Sequence, residues 1–338
     1  MLPLPEAPVP KAPMKIILLS SISPETIEQL EASHDVVSAI GLGPQEIREL
    51  ASDREVLVLR SGVQVDKELF EAAPDLQLVI RAGSGFDNVD LDAARLAGAR
   101  VTRIPGPSAH AVGELTFALM LSVARNVALA DRGVRKGHWP KPQLGGNLLS
   151  GKTLGIVGAG NIGGRVGELG AGWDMHVIGC VAPSSPDPSE RLAARQITAA
   201  SFETVVAEAD YLSIHTPLTD APHPDATRGL FDAEVLGRMK PGAYLVNTAR
   251  GGIVDEDALY DALTREGGLR GAALDVHGRE GEGNVPRLAE LDNVVLTPHI
   301  GAMALESQQQ IGDRIRTFID AHKSGTLDAE ASDREILV

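Results

Sequence analysis

Two spacings of apolar residues alternate along the first hundred residues. Short apolar runs, typical of buried strands, are separated by segments in which apolar residues recur every three or four positions, as they do on one face of a helix. The runs lie at 15–20, 56–59, 76–80 and 100–103, and helices are predicted from about 25, 44, 67 and 91. Strands that alternate with helices favour a parallel sheet, because parallel neighbours need a crossover connection.

A second series of strands follows an interruption. The sequence Ile104-Pro105-Gly106-Pro107 ends the first alternation, and one long helix is predicted after it, over 108–130. Six further strands are then predicted at 153–157, 175–181, 211–214, 243–247, 271–275 and 293–297. Six strands fit a doubly wound nucleotide-binding fold. Since this series is complete at Thr297, we expect the last amphipathic helix, from about 305 to 322, to return to the first domain.

The predicted architecture is therefore α/β, with two doubly wound parallel-sheet domains. A Rossmann-type coenzyme domain at 107–299 is inserted in a flavodoxin-like substrate domain made of 14–106 and 300–338. Residues 1–13 contain five prolines and no continuous apolar core, so we expect a flexible tail and no signal peptide.

Composition and charge exclude several classes of function. Of 338 residues, 43% are hydrophobic and 23% are charged, as in ordinary globular proteins, and no run approaches the roughly 18 apolar residues of a membrane span. The net charge of -15 disfavours nucleic acid or an anionic membrane as the main partner. The only cysteine, Cys180, excludes an intramolecular disulfide and a cysteine-based metal site, and it is expected to be a buried thiol. We expect a cytoplasmic protein without a metal.

The strand at 153–157 leads into a Gly-x-Gly-x-x-Gly sequence. Gly158 permits a tight turn, Gly160 lets the backbone approach a pyrophosphate, and Gly163 lets the following helix pack closely on the strand. The helix then directs its N-terminal N–H groups and the positive end of its dipole at the phosphates. The sequence therefore predicts a dinucleotide-binding site.

Ligands of open α/β sheets bind at the carboxyl ends of the strands, so the residues just after each strand are candidates. These residues include one arginine, one carboxylate and one histidine that would converge where a nicotinamide would lie. In strand order the candidates are Gly158 to Gly163; Val181; His215, Thr216 and Pro217; Thr248, Ala249 and Arg250; Asp275 with Glu280; and His299 to Gly301.

Five ordered motifs resemble those of the D-isomer-specific 2-hydroxyacid dehydrogenase family, and the resemblance runs from about 55 to 320. The motifs are Arg81-Ala82-Gly83-Ser84-Gly85-Phe86-Asp87-Asn88-Val89-Asp90, Val157-Gly158-Ala159-Gly160-Asn161-Ile162-Gly163, Leu245-Val246-Asn247-Thr248-Ala249-Arg250-Gly251, Ala273-Leu274-Asp275-Val276 and Leu296-Thr297-Pro298-His299-Ile300-Gly301. Within the family, Arg60-Ser61 and the stretch 76–121 are most similar to the short phosphoglycerate dehydrogenase branch.

The resemblance implies a catalytic set in the second domain. Reduction of a 2-keto acid needs a proton donor, a cation for the carboxylate and carbonyl, and a group that tunes the acid. His299 fits the first role, Arg250 the second and Glu280 the third, with Glu282 as a rival to Glu280. Each residue also has a simpler interpretation, His299 and Glu280 as surface residues and Arg250 as a turn residue.

The resemblance also implies binding residues. Ser84 and Gly85 would hold the substrate carboxylate through the backbone, and Arg60 would reach the substrate from the opposite wall of an interdomain cleft; a surface salt bridge is the other interpretation of Arg60. Coenzyme binding is assigned to Gly158, Gly160, Asn161, Ile162, Gly163, Val181, His215, Thr216, Pro217, Thr248, Ala249, Arg250, Asp275, His299 and Gly301.

Several positions depart from the family pattern. Val181 stands where NAD-selective folds usually carry an acidic residue for the ribose 2′-hydroxyl, and the nearest arginine is Arg191, so NAD or NADP stays open with NAD favoured. His277 replaces an aromatic residue and Gly281 a proline, which is expected to loosen the loop of Glu280. The connection at 220–226 is longer than usual and is expected to lie on the surface.

The predicted activity is NAD(P)-dependent oxidation of a D-2-hydroxy acid or reduction of a 2-keto acid. A phosphoglycerate-like or phosphonate-like substrate is favoured, hydroxypyruvate or glyoxylate reduction is the close alternative, and D-lactate formation is a weaker one. An NAD(H)-responsive co-repressor without turnover is the alternative of another class. The resemblance further implies a homodimer that uses the helix 108–130 and the arm after it, at 132–147.

Overall fold

The computed structural model describes residues 12–338, so most of the tail predicted over 1–13 lies outside the described residues. The chain divides into two compact units. The first unit contains the described residues up to Pro107 and Leu305–Val338, and the second is Ser108–Ala304. The division after 304 differs from the predicted limit at 299 because the backbone N–H groups of Ile300 and Gly301 donate hydrogen bonds to Asp275 of the second unit.

The first unit contains a five-stranded parallel sheet with helices between its strands. Its strands are β1 (Lys15–Leu18), β2 (Asp35–Ser38), β3 (Val56–Leu59), β4 (Leu78–Arg81) and β5 (Arg100–Arg103), and its first helices are α1 (Pro24–Glu31), α2 (Pro44–Ala51), α3 (Lys67–Ala72) and α4 (Leu91–Ala97). The order β2-β1-β3-β4-β5 is the flavodoxin-like order. Strand β2 was not predicted because it has only two apolar residues and lies at the sheet edge.

The second unit contains a seven-stranded parallel sheet. Its strands are β6 (Thr153–Val157), β7 (His176–Cys180), β8 (Thr198–Ala199), β9 (Tyr211–Ile214), β10 (Tyr244–Asn247), β11 (Gly271–Leu274) and β12 (Val294–Leu296). The order β12-β11-β10-β9-β6-β7-β8 is that of the dinucleotide-binding fold with one more strand beyond β11. The six predicted strands are present, and the short edge strand β8 was missed. The predicted fold class is confirmed.

Seven helices of the second unit follow in chain order: α5 (Ser108–Ala124), α6 (Val127–Arg135), α7 (Asn161–Gly172), α8 (Ser189–Ala193), α9 (Phe202–Glu208), α10 (Ala233–Arg238) and α11 (Glu256–Thr264). The prediction of one helix over 108–130 is wrong. The helix breaks between α5 and α6, where Asn126 has a φ of 55°, a left-handed conformation that ends a right-handed helix.

No single helix in the described part of the chain has both the length and the hydropathy to cross a membrane, while α5 and α6, bent by 65° at their break, meet that criterion together by length and composition.

Two helices near the end of the chain belong to the first unit, α12 (Leu305–Ser324) and α13 (Leu327–Glu330). The buried face of α12, with Ile311, Ile315 and Phe318, joins the core that Ile16 and Leu18 of β1 form. In the second unit Cys180 is buried at the end of β7, as expected, and burial raises the pKa of its thiol to about 11.

Candidate active site

Direct contacts explain why two of the three Gly-x-Gly-x-x-Gly positions in the turn between β6 and α7 are occupied by glycine. Gly158 has a φ of 92°, and a Cβ there would lie 2.7 Å from the backbone of His215 and Thr216. A Cβ at Gly163 would overlap the carbonyl oxygen of Gly158. Only glycine therefore lets the loop after β9 and the first turn of α7 close on the end of β6.

Gly160 differs, because nothing lies within 4 Å of the position that its Cβ would occupy. It is the N-cap residue of α7, and no side chain caps the N-terminal N–H groups of this helix. Arg195 donates from Nη1 to the carbonyl oxygens of Gly160 (3.3 Å) and Asn161 (3.4 Å), and these hydrogen bonds hold the loop in place. The open space and the uncapped N–H groups fit a pyrophosphate.

His299 and Glu280 form a hydrogen-bonded pair. Nδ1 of His299 lies 2.8 Å from Oε2 of Glu280, and the two side chains are 25% and 37% exposed. Burial acts to raise the pKa of Glu280, but the hydrogen bond and the charge of His299, helped by the backbone N–H and the charge of His277, hold this pKa below its ordinary value. Glu280 is therefore a carboxylate at neutral pH, and the rival Glu282 is not the residue paired with the imidazole.

Asp275 holds the turn that carries His299. Its buried carboxylate accepts hydrogen bonds from Oγ1 of Thr297 (2.6 Å) and from the N–H groups of Ile300 (2.8 Å) and Gly301 (2.8 Å). Its carbonyl oxygen accepts a further bond from the N–H of His299, whose φ of 54° is in the left-handed region. Such a backbone persists only where its surroundings hold it, and here Asp275 does so.

The loop that carries Glu280 has its own ties. Nε2 of His277 lies 2.9 Å from the carbonyl oxygen of Thr297, and the N–H of Gly278 donates to Oε1 of Glu256 at 2.6 Å. Gly281 has a φ of 113°, which favours glycine over other residues. His277 thus joins the loops after β11 and β12, a role that its position in the sequence did not reveal.

Arg250 follows β10 and is positioned by buried Asn247. Nδ2 of Asn247 donates to the carbonyl oxygen of Arg250 (2.9 Å), and its Oδ1 accepts from the N–H of Ala249 (3.0 Å). A Cβ at Gly251 would overlap the carbonyl of His277, so the Arg250 loop rests on the Glu280 loop. Because β10, β11 and β12 are neighbours in the sheet, Arg250, Glu280 and His299 follow three adjacent strands.

His215 lies between the glycine loop and the Arg250 loop. Its Nε2 is 2.7 Å from Oγ of Ser213, and its Nδ1 is 3.5 Å from Oγ1 of Thr248, which also contacts Oγ1 of Thr116 at 2.9 Å. Burial lowers the pKa of His215 to about 3, so its imidazole is neutral at pH 7.

Val181 follows β7 and is half-buried, and the loop after it meets the loop after β9. Asp225, from the connection 220–226, accepts hydrogen bonds from the N–H of Ser184 (3.2 Å) and from its hydroxyl. The carbonyl oxygen of Pro217 accepts a bond from Oγ1 of Thr227 (2.6 Å), which closes the base of this connection. The connection is thus on the surface, as expected, and also makes a specific contact.

In the first unit the predicted substrate residues have protein partners. Arg60 is half-buried, and its Nη1 donates to Oε1 of Gln308 on α12 at 3.3 Å. Burial lowers the pKa of this guanidinium. Oγ of Ser84 donates to the carbonyl oxygen of Pro105 (3.1 Å), and the carbonyl oxygen of Ser84 accepts a hydrogen bond from Nη1 of Arg103 (3.1 Å). Buried Asn88 supports Arg60 by donating to its carbonyl oxygen (2.8 Å).

Within residues 12–338 no group of three or more histidine, cysteine or acidic side chains could hold a metal ion. The residues described above form a candidate site that consists of a glycine loop, an arginine and a histidine–carboxylate pair.

A model of the family described as "D-isomer specific 2-hydroxyacid dehydrogenase, NAD binding domain" matches residues 117–301, more than half of the chain. The chain belongs to this family. The match covers β6 to β12 with the glycine loop, Arg250, Glu280 and His299, so the second unit is the family's NAD-binding domain.

Relatives agree with this assignment. The chain is 38% identical over 299 residues to a D-3-phosphoglycerate dehydrogenase of Methanocaldococcus jannaschii, a match that covers 88% of this chain and 55% of the relative. It is also 38% identical to a hydroxypyruvate reductase of Thermotoga maritima, over 82% of this chain and 87% of the relative. The chain thus spans about half the length of the phosphoglycerate dehydrogenases that it matches.

A solved family structure covers both units. The D-lactate dehydrogenase of Aquifex aeolicus, complexed with NAD and lactic acid, matches 96% of this chain and 99% of its own chain, with a TM-score of 0.83 and 28% identity.

The roles assigned from the motifs to individual residues stay predictions. Sequence reasoning missed the supporting residues Asn88, Arg195 and Asp225, whose partners are 7 to 41 positions away. It also missed Asn247, although the partners of Asn247 are its near neighbours Ala249 and Arg250.

Proposed function

We propose that this protein is an NAD(P)-dependent oxidoreductase that interconverts a small 2-keto acid and the corresponding D-2-hydroxy acid. The observation that carries the proposal is the 2.8 Å contact between His299 and Glu280, held by buried Asp275 at the edge of the sheet that also carries the glycine loop. A histidine paired with an ionised carboxylate is suited to donate and accept a proton near neutral pH.

Each residue of the set has a separate task in this proposal. Glu280 accepts a hydrogen bond from Nδ1–H of His299, which leaves Nε2 to give a proton to the developing alkoxide oxygen in reduction and to remove it in oxidation. Arg250 binds the substrate carboxylate with its planar fork and polarises the carbonyl group. In the first unit, the backbone of Ser84 and Gly85 and the side chain of Arg60 are proposed to contact the same substrate.

The coenzyme site is proposed at the glycine loop. The space above Gly160 and the N-terminus of α7 fit the pyrophosphate, and Val181 lies at the ribose position. When bound, the nicotinamide supplies the hydride. NAD is favoured over NADP, since the matching family model is described as NAD binding.

The substrate proposal follows the relatives. A 3-phosphoglycerate-like or phosphonate-like acid is favoured because of the phosphoglycerate dehydrogenase of Methanocaldococcus jannaschii, and hydroxypyruvate or glyoxylate is the alternative because of the reductase of Thermotoga maritima. Both classes share the 2-keto acid that Arg250 and His299 would recognise.

The test measures loss of NADH or NADPH absorbance with 3-phosphohydroxypyruvate, hydroxypyruvate, glyoxylate and pyruvate. We expect turnover with at least one of them, and a loss of at least about 10³-fold in kcat/KM for Arg250→Ala while coenzyme affinity changes little. Arg250→Lys retains the charge and should recover only part of the activity. Coenzyme binding without turnover of any 2-keto acid would overturn the enzyme proposal in favour of a coenzyme-responsive binding protein.

We also propose a homodimer formed through α5, α6 and the arm that follows them. Four apolar side chains in this segment or directly after it are more than half exposed: Val127, Val134, Trp139 and Leu148. We expect sedimentation at twice the 35.6 kDa of one chain, and weaker association of a Trp139→Ser/Leu148→Ser variant. Leu96→Ser, at an 85% exposed position outside the segment, is the control. A monomer at micromolar concentration would contradict the proposal.

A further inference from the structure

The ribose position of this dinucleotide-binding domain lacks the usual acidic residue. In such folds a carboxylate about 20 residues after the glycines accepts hydrogen bonds from the ribose 2′-hydroxyl and repels a 2′-phosphate. Here the corresponding residue is Val181, which has no polar group. A carboxylate that served the same purpose would have to come from another element.

The connection after β9 supplies such a carboxylate. In the sheet order β6 lies between β9 and β7, so the connection must pass the end of β6 to reach the loop after β7. The connection reaches that loop at Asp225. Oδ1 of Asp225 accepts a hydrogen bond from the N–H of Ser184 (3.2 Å), and Oδ2 accepts one from the hydroxyl of Ser184. Ser184 is three residues after Val181.

Asp225 is held in place from its own side. Its carbonyl oxygen accepts a hydrogen bond from Oγ1 of Thr219 (2.6 Å), and its N–H donates to Nδ1 of His223 (3.0 Å). Oγ1 of Thr227 approaches Oγ1 of Thr219 at 3.2 Å. The carboxylate is therefore preorganised, and each of its oxygens has a second lone pair for another donor.

The cation on the other side of the glycine loop is already engaged. Arg195 donates to the carbonyl oxygens of Gly160 and Asn161, and its Nε lies 3.7 Å from Oε1 of Glu168. This use of Arg195 weakens its capacity to attract a 2′-phosphate. The charge next to Ser184 is that of Asp225, which is negative.

We propose that Asp225 takes the role of the acidic residue that is missing at position 181. Its carboxylate accepts hydrogen bonds from the ribose hydroxyls of NAD and repels the 2′-phosphate of NADP. Asp225 is thus the residue that determines coenzyme specificity, and it is contributed by the connection after β9 instead of the end of β7. The inference rests on the proposed coenzyme site, but it does not depend on the substrate.

The test measures dissociation constants of NADH and NADPH from nicotinamide fluorescence, without substrate. The unmodified protein should bind NADH more tightly. Asp225→Asn retains the shape and removes the charge, and it should move the ratio of the two dissociation constants towards NADPH by at least about tenfold. Asp225→Ser is expected to act in the same direction and covers the case in which the first variant does not fold.

Two further variants make the test specific. Asp187→Asn removes one charge from the exposed loop after β7 without touching Ser184, and its ratio should stay within twofold of that of the unmodified protein. Val181→Asp combined with Asp225→Asn returns a carboxylate to the usual place, and it should restore the preference for NADH.

The outcomes separate this inference from the proposed function. If NADH binds and Asp225→Asn changes the ratio less than twofold, or if the unmodified protein prefers NADPH, the assignment of Asp225 is wrong and the enzyme proposal stands. If Val181→Asp fails to restore the preference, Asp225 does not act at the ribose. If neither coenzyme binds the unmodified protein, both proposals fail.

Discussion

At the scale of single residues, the proposed chemical role of the His299–Glu280 pair can be tested separately from its effect on the structure. Glu280 is ionised at neutral pH, because its pKa is held below the ordinary value chiefly by His299 against the opposing effect of burial. As the pH falls through that lowered pKa, the carboxylate is protonated and the negative charge next to His299 is lost.

We therefore expect Glu280→Gln to lower kcat of reduction by about 10- to 100-fold and to shift the pH profile of kcat/KM to lower pH, because the proposed proton donor His299 loses a neighbouring negative charge. Profiles from pH 5 to 9 measure both effects. Glu282→Gln, in the same loop, should leave kcat and the profile unchanged. An equal effect of the two substitutions would show that loop flexibility, and not the carboxylate, controls the acid.

At the scale of elements, the turn from β6 to α7 contains glycines that the fold requires and one glycine that we assign to coenzyme binding. Gly158 combines a φ of 92° with a contact to the backbone of the loop after β9, so both conformation and space exclude a side chain. Gly160 has a φ of -83° with a ψ of -139°, and nothing lies within 4 Å of the position that its Cβ would occupy. The same motif thus contains two different physical requirements.

Alanine substitutions should reveal this difference. Gly158→Ala should lower the free energy of unfolding by about 2–4 kcal/mol, because the backbone must move. Gly160→Ala should lower it less than Gly158→Ala does, because no atom lies near the position of its Cβ, but it should weaken coenzyme binding at least tenfold, since its methyl group would occupy the space of the pyrophosphate. Urea unfolding and coenzyme titration measure the two quantities. Unaltered coenzyme affinity in Gly160→Ala would place the pyrophosphate elsewhere.

At the scale of the whole molecule, partly buried histidines connect stability to pH. Burial is the largest cause of the lowered pKa of His34, His215 and His322 in the described chain, and it lowers that of His215 to about 3. Unfolding exposes these rings to water, where their pKa is near 6.5, so the unfolded chain binds more protons at acidic pH. Stability should therefore fall as the pH decreases below about 6.5.

His215→Gln should flatten this dependence, because it removes the group with the largest shift. The free energy of unfolding of the coenzyme-free protein, measured in urea at pH 7.5 and pH 4.5, should differ less in the variant than in the unmodified chain. His138→Gln, at an exposed position of the arm, controls for the loss of a histidine. Equal pH dependence in His215→Gln and the unmodified chain would mean that His215 is protonated without unfolding.

The amino-acid sequence by itself determined the fold class, the strands that carry the chemistry and the chemical types at their ends. Buried strands produce apolar runs, and a parallel sheet puts the following residues at one edge. The edge strands β2 and β8 escaped because their residues are partly or fully exposed and form no such run. The break after Ala124 escaped because the apolar pattern continues through Asn126.

Only the tertiary structure decided which polar groups meet. The hold of Asp275 on the 297–301 turn and the contact of Asp225 with Ser184 join residues 22 to 41 positions apart. The motifs already favoured Glu280 as the partner of His299, and the structure adds the 2.8 Å contact that its rival Glu282 does not make. Hydrogen bonds depend on distances of a few tenths of an ångström, and residue types along a chain do not contain that information. Local pattern therefore predicts where the chemistry lies, while folding determines which residue performs it.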